Sequence, residues 1–490
     1  MLGFEKDGEV PMIGKIGDAG ETAPGGRGRP VGAWPETATA TRESVQRTGS
    51  DQTLLDFYRS DSPDLFQKCS LFGGKVRELE VQGIVQTMYR VTLESGLDHR
   101  ITVRDPHRNL VREMICFDSN SYLGLHLHPR VVSAVHDALD EVGYGTPSAQ
   151  VLCGTNRYLR ELEDTVSRFH GREATMIFPS GYAANLGVLT ALVRAKDLVV
   201  RDRFSHASIH DGCRATGSRF LHVYPHDDLV ALEAILAQAA DNGGVAGKLI
   251  VTDGVFSMHG RVARLPDLVA IARKHGARLL VDDAHGTGVL GPNGRGIEDL
   301  YGMNGSVDLL VGTFSKAAGA LGGYLCGSTD VVSYLRFYAN PGMFTAALPA
   351  ALCAGITAAY RVMEEEPEHR ASLWNNVRKF VPALKQAGLA VSGGESPILT
   401  VFVGSNELLW QLARELFDEG VKCGIVSYPA VPVGESILRL AVNARHTDED
   451  LSRTVDVLAR LSRKYGIQNK THEEIRAIGG CPEPEAGASS

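Results

Sequence analysis

The sequence predicts an α/β fold, with a large domain on a mostly parallel sheet and a smaller C-terminal α/β domain. Three observations lead there. Between residues 119 and 345, short apolar runs alternate with helix-period segments, the rhythm of a sheet covered on both faces. The residues able to do chemistry fall just after those runs, where open α/β sheets gather functional groups. From 346 to 466 a second alternation of helices and strands follows.

In chain order, residues 1–50 are rich in Gly, Pro, Thr, Glu and Arg and predict a disordered leader. Residues 51–118 predict an N-terminal extension with a small β-rich subdomain. Its first part (Leu54, Leu55, Phe57, Tyr58, Leu65, Phe66) suits short helices. Its second part, with Val81, Ile84, Val85, Tyr89, Val91, Ile101 and Val103, alternates in part like strands. In the large domain, strands are expected at Ala174–Phe178, Leu198–Val200, Phe220–Val223, Leu249–Thr252, Arg278–Val281, Leu309–Val311 and Gly323–Leu325. Helices are expected at Ala183–Leu192, Leu229–Ala240 and Leu265–His275. The C-terminal domain should hold helices at Ala350–Met363, Leu408–Glu419 and Asp448–Lys464, and strands at Ile398–Val403 and Leu438–Val442. The tail, 467–490, ends in Pro-Glu-Pro-Glu-Ala-Gly-Ala-Ser-Ser and reads as disordered.

Composition excludes several classes. At 490 residues, 43% hydrophobic and 22% charged, the chain has the make-up of a globular protein with one large domain and smaller ones. A net charge of -8 without a dense Lys/Arg block argues against nucleic-acid binding. The 8 cysteines are scattered and form no C-x-x-C pair, so zinc and redox readings on cysteine gain no support. Such cysteines suit a reducing, cytoplasmic setting. No basic-then-apolar start signals secretion, and no run of roughly 18 apolar residues predicts a membrane span.

The chemistry centres on Val307–Tyr324. A buried strand runs into Gly312-Thr-Phe-Ser, and Lys316 then stands where the chain leaves the core. Ala317, Ala318, Gly319, Ala320, Gly322 and Gly323 leave room beside it for a large flat group. A lysine at the mouth of an apolar pocket loses its proton readily. Its neutral amine can form a Schiff base with an aldehyde such as pyridoxal 5'-phosphate. That cofactor needs further groups. Ser180-Gly181-Tyr182 opens a helix after a strand and offers free amides to a phosphate, although Ser180 alone also reads as a helix cap. Asp282 ends a strand and suits the pyridine nitrogen, with Asp283 as its rival and a turn role as the alternative. His206 and His285 could stack on the ring or hydrogen-bond to it. Arg439, in an otherwise apolar run, could hold a substrate carboxylate bidentately or lie on an exposed strand face.

Read together, residues 115–465 resemble the α-oxoamine synthases, a family with the aspartate-aminotransferase-like fold of pyridoxal phosphate-dependent transferases. The family includes 8-amino-7-oxononanoate synthase, glycine C-acetyltransferase, 5-aminolevulinate synthase and serine palmitoyltransferase. The motifs are Asn120-Ser-Tyr-Leu-Gly-Leu125, Ser205-His-Ala-Ser-Ile-His-Asp-Gly212, Thr252-Asp-Gly-Val-Phe-Ser-Met-His-Gly260, Val281-Asp-Asp-Ala-His-Gly-Thr-Gly288, Gly294-Arg-Gly296 and Gly312-Thr-Phe-Ser-Lys316. The resemblance implies that Lys316 carries the cofactor as a Schiff base and then acts as the base at the amino-acid Cα. It implies Asp282 at the pyridine nitrogen, His206 stacked on the ring, His285 at the ring hydroxyl, and Thr313 with the Gly181 and Tyr182 amides at the phosphate. It places Ser257 near the ring, Asn120 and Arg439 at the substrate carboxylate, and Thr345 at the phosphate of a neighbouring subunit, hence a homodimer.

The implied reaction condenses a small amino acid (glycine, alanine or serine) with an acyl thioester, on CoA or a carrier protein, usually with loss of carbon dioxide. Two residues depart from the family pattern: Gln150 where arginine is frequent and Leu159 where histidine is common. Both bear on the acyl donor. A non-catalytic partner subunit is the competing reading, and Lys316 with Asp282, His206 and Thr313 opposes it. Another enzyme of the same fold type, an aminotransferase or aldolase, is opposed by the Ser-His-Ala-Ser and Asp-Asp-Ala-His motifs.

Overall fold

Seven strands build the central sheet of this computed structural model, which describes residues 57, 63–105, 109–241, 244–428 and 430–479. They are β3 (Ala174–Phe178), β4 (Leu198–Asp202), β5 (Phe220–Tyr224), β6 (Lys248–Asp253), β7 (Arg278–Asp282), β8 (Leu309–Thr313) and β9 (Gly323–Gly327), in the order β3-β9-β8-β7-β6-β4-β5. Every strand expected in this region is present. Strands β8, β7, β6, β4 and β5 are mutually parallel, and β9 runs antiparallel to both β3 and β8. Residues of β8 and β9 are buried throughout, which is why these strands read as continuous apolar runs rather than as alternation.

The topology builds one rim. The carboxyl ends of β8, β7, β6 and β4 lie side by side and carry Thr313, Asp282, Asp253 and Asp202. Gly323 joins the rim to β3, because it pairs with both Phe178 and Thr313. The expected helices start and stop for local reasons. Ser180 caps Gly181–Leu192 by accepting the Ala183 amide, and Pro266 sits in the first turn of Leu265–Lys274. Leu229–Asp241 completes the expected set.

The second sheet takes the order β1-β2-β12-β13-β11-β10, from β1 (Arg100–Asp105), β2 (Leu110–Phe117), β10 (Val391–Gly393), β11 (Ile398–Gly404), β12 (Val421–Val426) and β13 (Ser436–Ala441). This corrects the expected N-terminal subdomain. Strand β2 pairs in parallel with β12, so the early strands complete the C-terminal sheet instead of forming their own. Val81, Ile84 and Val85 are helical, in Gln67–Val81 and Ile84–Met88. Ile84 and Met88 are buried at i,i+4 spacing while Val81 is exposed, a helical rather than a strand pattern.

The expected C-terminal helices appear as Ala350–Glu365, Asn406–Asp418 and Asp448–Lys464, joined by an unanticipated helix, Glu368–Gln386. One hydrophobic cluster runs from Phe314 and Tyr324 to Phe402 and Leu440, so the two sheets share apolar packing. The tail also needs correction. Its first part folds as helix His472–Ile478, with a capping box between Thr471 and Glu474 and with Ile475 buried. Arg476 pairs with Glu435 there. The leader over 1–50 and residues 480–490 lie outside the described residues. Among the described residues, no helix is long and apolar enough to cross a membrane.

Candidate active site

Lys316 follows β8 by three residues, in a loop of mostly small side chains. Its side chain keeps partial access to solvent. Burial of its amine lowers the pKa from 10.5 to about 8, against the opposing pull of Asp282 and Asp253. The lysine thus holds a sizeable neutral fraction near neutral pH, which amine chemistry requires.

Asp282 and Asp283 are sharply different neighbours. Asp282 accepts the Asn185 side-chain amide at 2.6 Å and the Ala284 backbone amide at 3.0 Å. Asn185 also donates to Ser208 Oγ at 2.9 Å, and Ser208 Oγ lies 2.7 Å from His206 Nδ1. One chain of hydrogen bonds therefore links Asp282 to His206. Asp283 faces away from that chain. It accepts the Ile297 amide at 2.8 Å, and a Cβ added at Gly254, Gly286 or Gly296 would collide with its carboxyl group. Burial pushes the Asp283 carboxyl well above its usual range, so it serves as a packed polar strut. Geometry thus gives the two aspartates different surroundings.

Asp253, beside Asp282 across β6 and β7, accepts the His206 backbone amide at 3.0 Å. Burial first, and the charge of Asp282 second, push its carboxyl well above the usual range. His285 sits on the other flank. Its Nδ1 lies 2.6 Å from the Tyr122 hydroxyl. Burial and the Lys316 charge hold its imidazole well below its usual pKa, hence neutral. Burial pushes the Tyr122 phenol up to about 12, so it remains a hydroxyl.

Arg439 enters from β13. Its Nη2 donates to Asn120 Oδ1 at 3.0 Å and its Nε to the Ser257 carbonyl at 2.7 Å. Three predicted residues from distant segments therefore meet, and Arg439 is buried rather than spread on an exposed strand face. On the β3 side, the start of helix Gly181–Leu192 presses against the ends of β8 and β9. A Cβ on Gly181 would lie 2.9 Å from Thr313 Cβ, and one on Gly323 would lie 2.4 Å from the Gly181 nitrogen. Only glycine permits this approach. Ser180 does cap the helix, accepting Ala183 N at 3.1 Å. Thr313 Oγ1 lies 2.9 Å from Ser315 Oγ. Thr345 is exposed and stands outside this hydrogen-bond network.

Sequence reasoning gave no role to Asn185, Ser208, Tyr122 or Asp253. Tyr122, Ser208 and Asp253 lie inside quoted motifs, and Asn185 lies in the helix that Ser180-Gly181-Tyr182 opens. The available signal for Asn185 was an amide side chain one turn into a mostly apolar helix.

The aminotransferase class I and II family model matches residues 112–458. Among curated proteins, the chain is 39% identical to 4-hydroxy-2,2'-bipyrrole-5-methanol synthase PigH of Serratia sp. (strain ATCC 39006), over 90% of this chain and 67% of that protein. It is 40% identical to 8-amino-7-oxononanoate synthase 1 of Bacillus velezensis (strain DSM 23117 / BGSC 10A6 / LMG 26770 / FZB42), over 72% of this chain and 90% of that one. Among solved structures, a serine palmitoyltransferase with pyridoxal phosphate superposes with a TM-score of 0.77 at 30% identity, covering 82% of this chain and 100% of that one. The chain belongs to the α-oxoamine synthases.

Pyridoxal 5'-phosphate is the cofactor of this α-oxoamine synthase, and the residues present suit it. The glycine-lined approach brings the helix start against Thr313, and a helix start suits an anion. The Asn185 side-chain oxygen at the rim is buried without a partner. A buried lysine amine stands beside an ordered carboxylate. The two departures from the family pattern take structural roles in this α-oxoamine synthase. Gln150 donates to the Ile177 carbonyl at 2.8 Å, tying its segment to β3, and Leu159 is packed in the core.

Proposed function

We propose that this protein condenses a small amino acid with an acyl thioester and releases an α-amino ketone, carbon dioxide and a thiol. The observation that carries this reading is Lys316 beside Asp282, with the Arg439–Asn120 pair nearby. It is an amine, a carboxylate for a ring nitrogen and a cation for a carboxylate, in a chain of α-oxoamine synthase type.

When bound, pyridoxal phosphate supplies an aldehyde that captures amines and a ring that delocalises an electron pair at the neighbouring carbon. The protein's part is binding, orientation and proton movement. The amides of Gly181 and Tyr182, with Thr313 and Ser180, would take the phosphate. Asp282, fixed by Asn185 and Ala284, would hold a proton on the ring nitrogen. His206, tied to the same network through Ser208, is assigned to the ring face. His285, neutral and steadied by Tyr122, is assigned to the ring hydroxyl, and Ser257 is assigned beside the ring.

Arg439 and Asn120 receive the amino-acid carboxylate, which fixes the Cα–H bond near Lys316. The neutral Lys316 amine takes the α-proton. The α-carbon forms a bond to the thioester carbonyl carbon, the C–S bond breaks, and the thiolate leaves to be protonated. Loss of the carboxylate as carbon dioxide leaves an electron pair at the α-carbon, and Lys316 returns the proton there.

The finer assignments follow the same reading. Glycine, alanine and serine are the amino acids considered, and CoA is the favoured thiol carrier, with a carrier protein as the alternative. A homodimer is proposed, with Thr345 reaching the site of the partner subunit. It is supported by large apolar side chains exposed at Tyr144 (87%), Leu152 (75%) and Phe344 (74%), two of them on segments joined by the Ala149–Ala346 bridge. A cytoplasmic setting is supported by seven free cysteines among the described residues.

The test is thiol release from short to long acyl-CoA esters crossed with glycine, alanine and serine, using cofactor-loaded protein. Release with a particular pairing supports the reading and names the substrates. Absence of release with every CoA ester, followed by release from an acylated carrier protein, would move the donor. Absence with both would overturn the proposal.

A further inference from the structure

Away from the rim, two histidines and a glutamate from three segments converge on one point. His128 is the N-cap of helix Pro129–Val142. Glu366 closes helix Ala350–Glu365, and His369 lies in the first turn of Glu368–Gln386. His128 Nε2 lies 3.2 Å and His369 Nε2 lies 3.3 Å from the same carboxylate oxygen, Glu366 Oε2. The three ligand atoms lie within 4.8 Å of one another. The imidazole planes cross at 87° with centroids 5.6 Å apart. The side chains are only 16%, 24% and 29% exposed. Among the described residues, no other set of three or more such ligands meets this closely.

From this convergence we propose that His128, Glu366 and His369 form a three-ligand site for a divalent transition metal, with zinc as the best match. Zinc takes nitrogen and oxygen ligands at about 2.0–2.2 Å, so neighbouring donors on a tetrahedron stand roughly 3.3 Å apart. The two nitrogen-to-oxygen distances meet that spacing, and all three ligand atoms lie within 4.8 Å of one another. The other oxygen, Glu366 Oε1, is held by Arg130 Nη1 at 2.8 Å, which orients the carboxylate as an outer-shell partner does. Arg130 is itself balanced by Glu365 at 2.6 Å. Metal would replace the two Nε2 protons now shared with Glu366. It would also cost the 3.3 Å cap bond from the Arg130 amide to His128 Nδ1, which must then carry a proton. The fourth position is left to water.

The site lies where helix Ala350–Glu365 gives way to Glu368–Gln386 and where the Asn120–Leu125 motif runs into helix Pro129–Val142. A bound ion would pin these three segments together. None of its ligands belongs to the machinery around Lys316.

The experiment uses the cofactor-loaded, chelator-stripped full chain with any affinity tag removed. It is titrated with zinc by calorimetry, and with cobalt(II) by visible absorption. The expected result is saturable binding of one ion per chain, a rise in Tm with zinc, and cobalt bands of four-coordinate intensity. His369→Ala and Glu366→Gln should each weaken binding by about tenfold or more, reduce the Tm rise, and leave the cofactor absorption band unchanged. These two variants spare the His128 cap, so their metal-free Tm reports folding independently. Absence of saturable binding, or binding equally tight in both variants, would overturn the proposal and leave a hydrogen-bonded triad.

Discussion

Asn185 donates its side-chain amide to Asp282 at 2.6 Å, while Asp283, the next residue, turns away and accepts the Ile297 backbone amide. Two adjacent carboxylates at the end of β7 thus have separate surroundings. Alternation of side chains along the emerging chain sends one into the site and the other into the packing beneath it.

The separation predicts unlike phenotypes. Asp282→Asn should lower turnover by about 100-fold or more, since a carboxylate that stabilises a cationic ring is lost, with little change in unfolding free energy. Asp283→Ala should leave the cofactor absorption band in place and cost about 1–3 kcal/mol of stability, because the buried Ile297 amide loses its acceptor. Steady-state kinetics and urea unfolding on both variants would check this; an unchanged rate in Asp282→Asn would shift the assignment to Asp283.

Lys316→Ala should abolish thiol release. Borohydride treatment should fix cofactor to the native protein as a stable mass increase and leave the variant unlabelled. Turnover at the native rate in this variant would contradict the assignment.

Lys316 also gives the metal-free, cofactor-free protein a defined pH response. Burial lowers its pKa to about 8 from 10.5. Between those values the unfolded chain holds the proton and the folded chain does not. The unfolded state therefore binds more protons, and this group's contribution to stability rises with pH through the window. Below about pH 8 the cost of burying the charged amine is fully present, up to about 3 kcal/mol. Lys316→Met apoprotein should be the more stable of the two at pH 7.5, with the gap closing toward pH 10.5. Parallel pH profiles would count against a buried amine.

Arg439 and Asn120 predict a binding phenotype. Arg439→Ala should raise KM for the amino acid by roughly 10- to 100-fold, the loss of a charge-assisted pair of hydrogen bonds. Asn120→Ala should have a smaller effect, because Arg439 keeps its Ser257 contact. An unchanged KM in Arg439→Ala would remove the arginine from the substrate site.

The C-terminal helix is testable through Ile475, which is almost fully buried. Ile475→Ala should cost about 2–5 kcal/mol, whereas a disordered tail would tolerate it without change.

Much of the central sheet was legible because its strands are apolar on both faces and their ends carry polar residues in sequence order. The remainder was hidden for physical reasons. Val81 to Val85 mix strand and helix spacing, and burial of Ile84 and Met88 decides the matter only once Asn406–Asp418 is nearby, where Arg414 donates to the Gln82 carbonyl. The pairing of β2 with β12 joins residues some 300 positions apart in sequence, which no local pattern reports. Helix His472–Ile478 was masked by the polar tail after it, although Thr471 and Glu474 form a capping box at the spacing that announces a helix start. At the site, residues with conspicuous chemistry were visible in the sequence. Their supports, Asn185, Ser208 and Tyr122, act through burial and contact and emerged with the fold.

The central claim is carbon–carbon bond formation between an amino acid and an acyl thioester with Lys316 as the proton-moving base. Its most direct test is mass spectrometry of the product from carboxyl-labelled amino acid and acyl thioester, with thiol counted in parallel. The expected product is an α-amino ketone that has lost the labelled carboxyl, formed mole for mole with thiol by the native protein and absent with Lys316→Ala. Transfer of the amino group to a keto acid without thiol release, or thiol release with no coupled product, would contradict it.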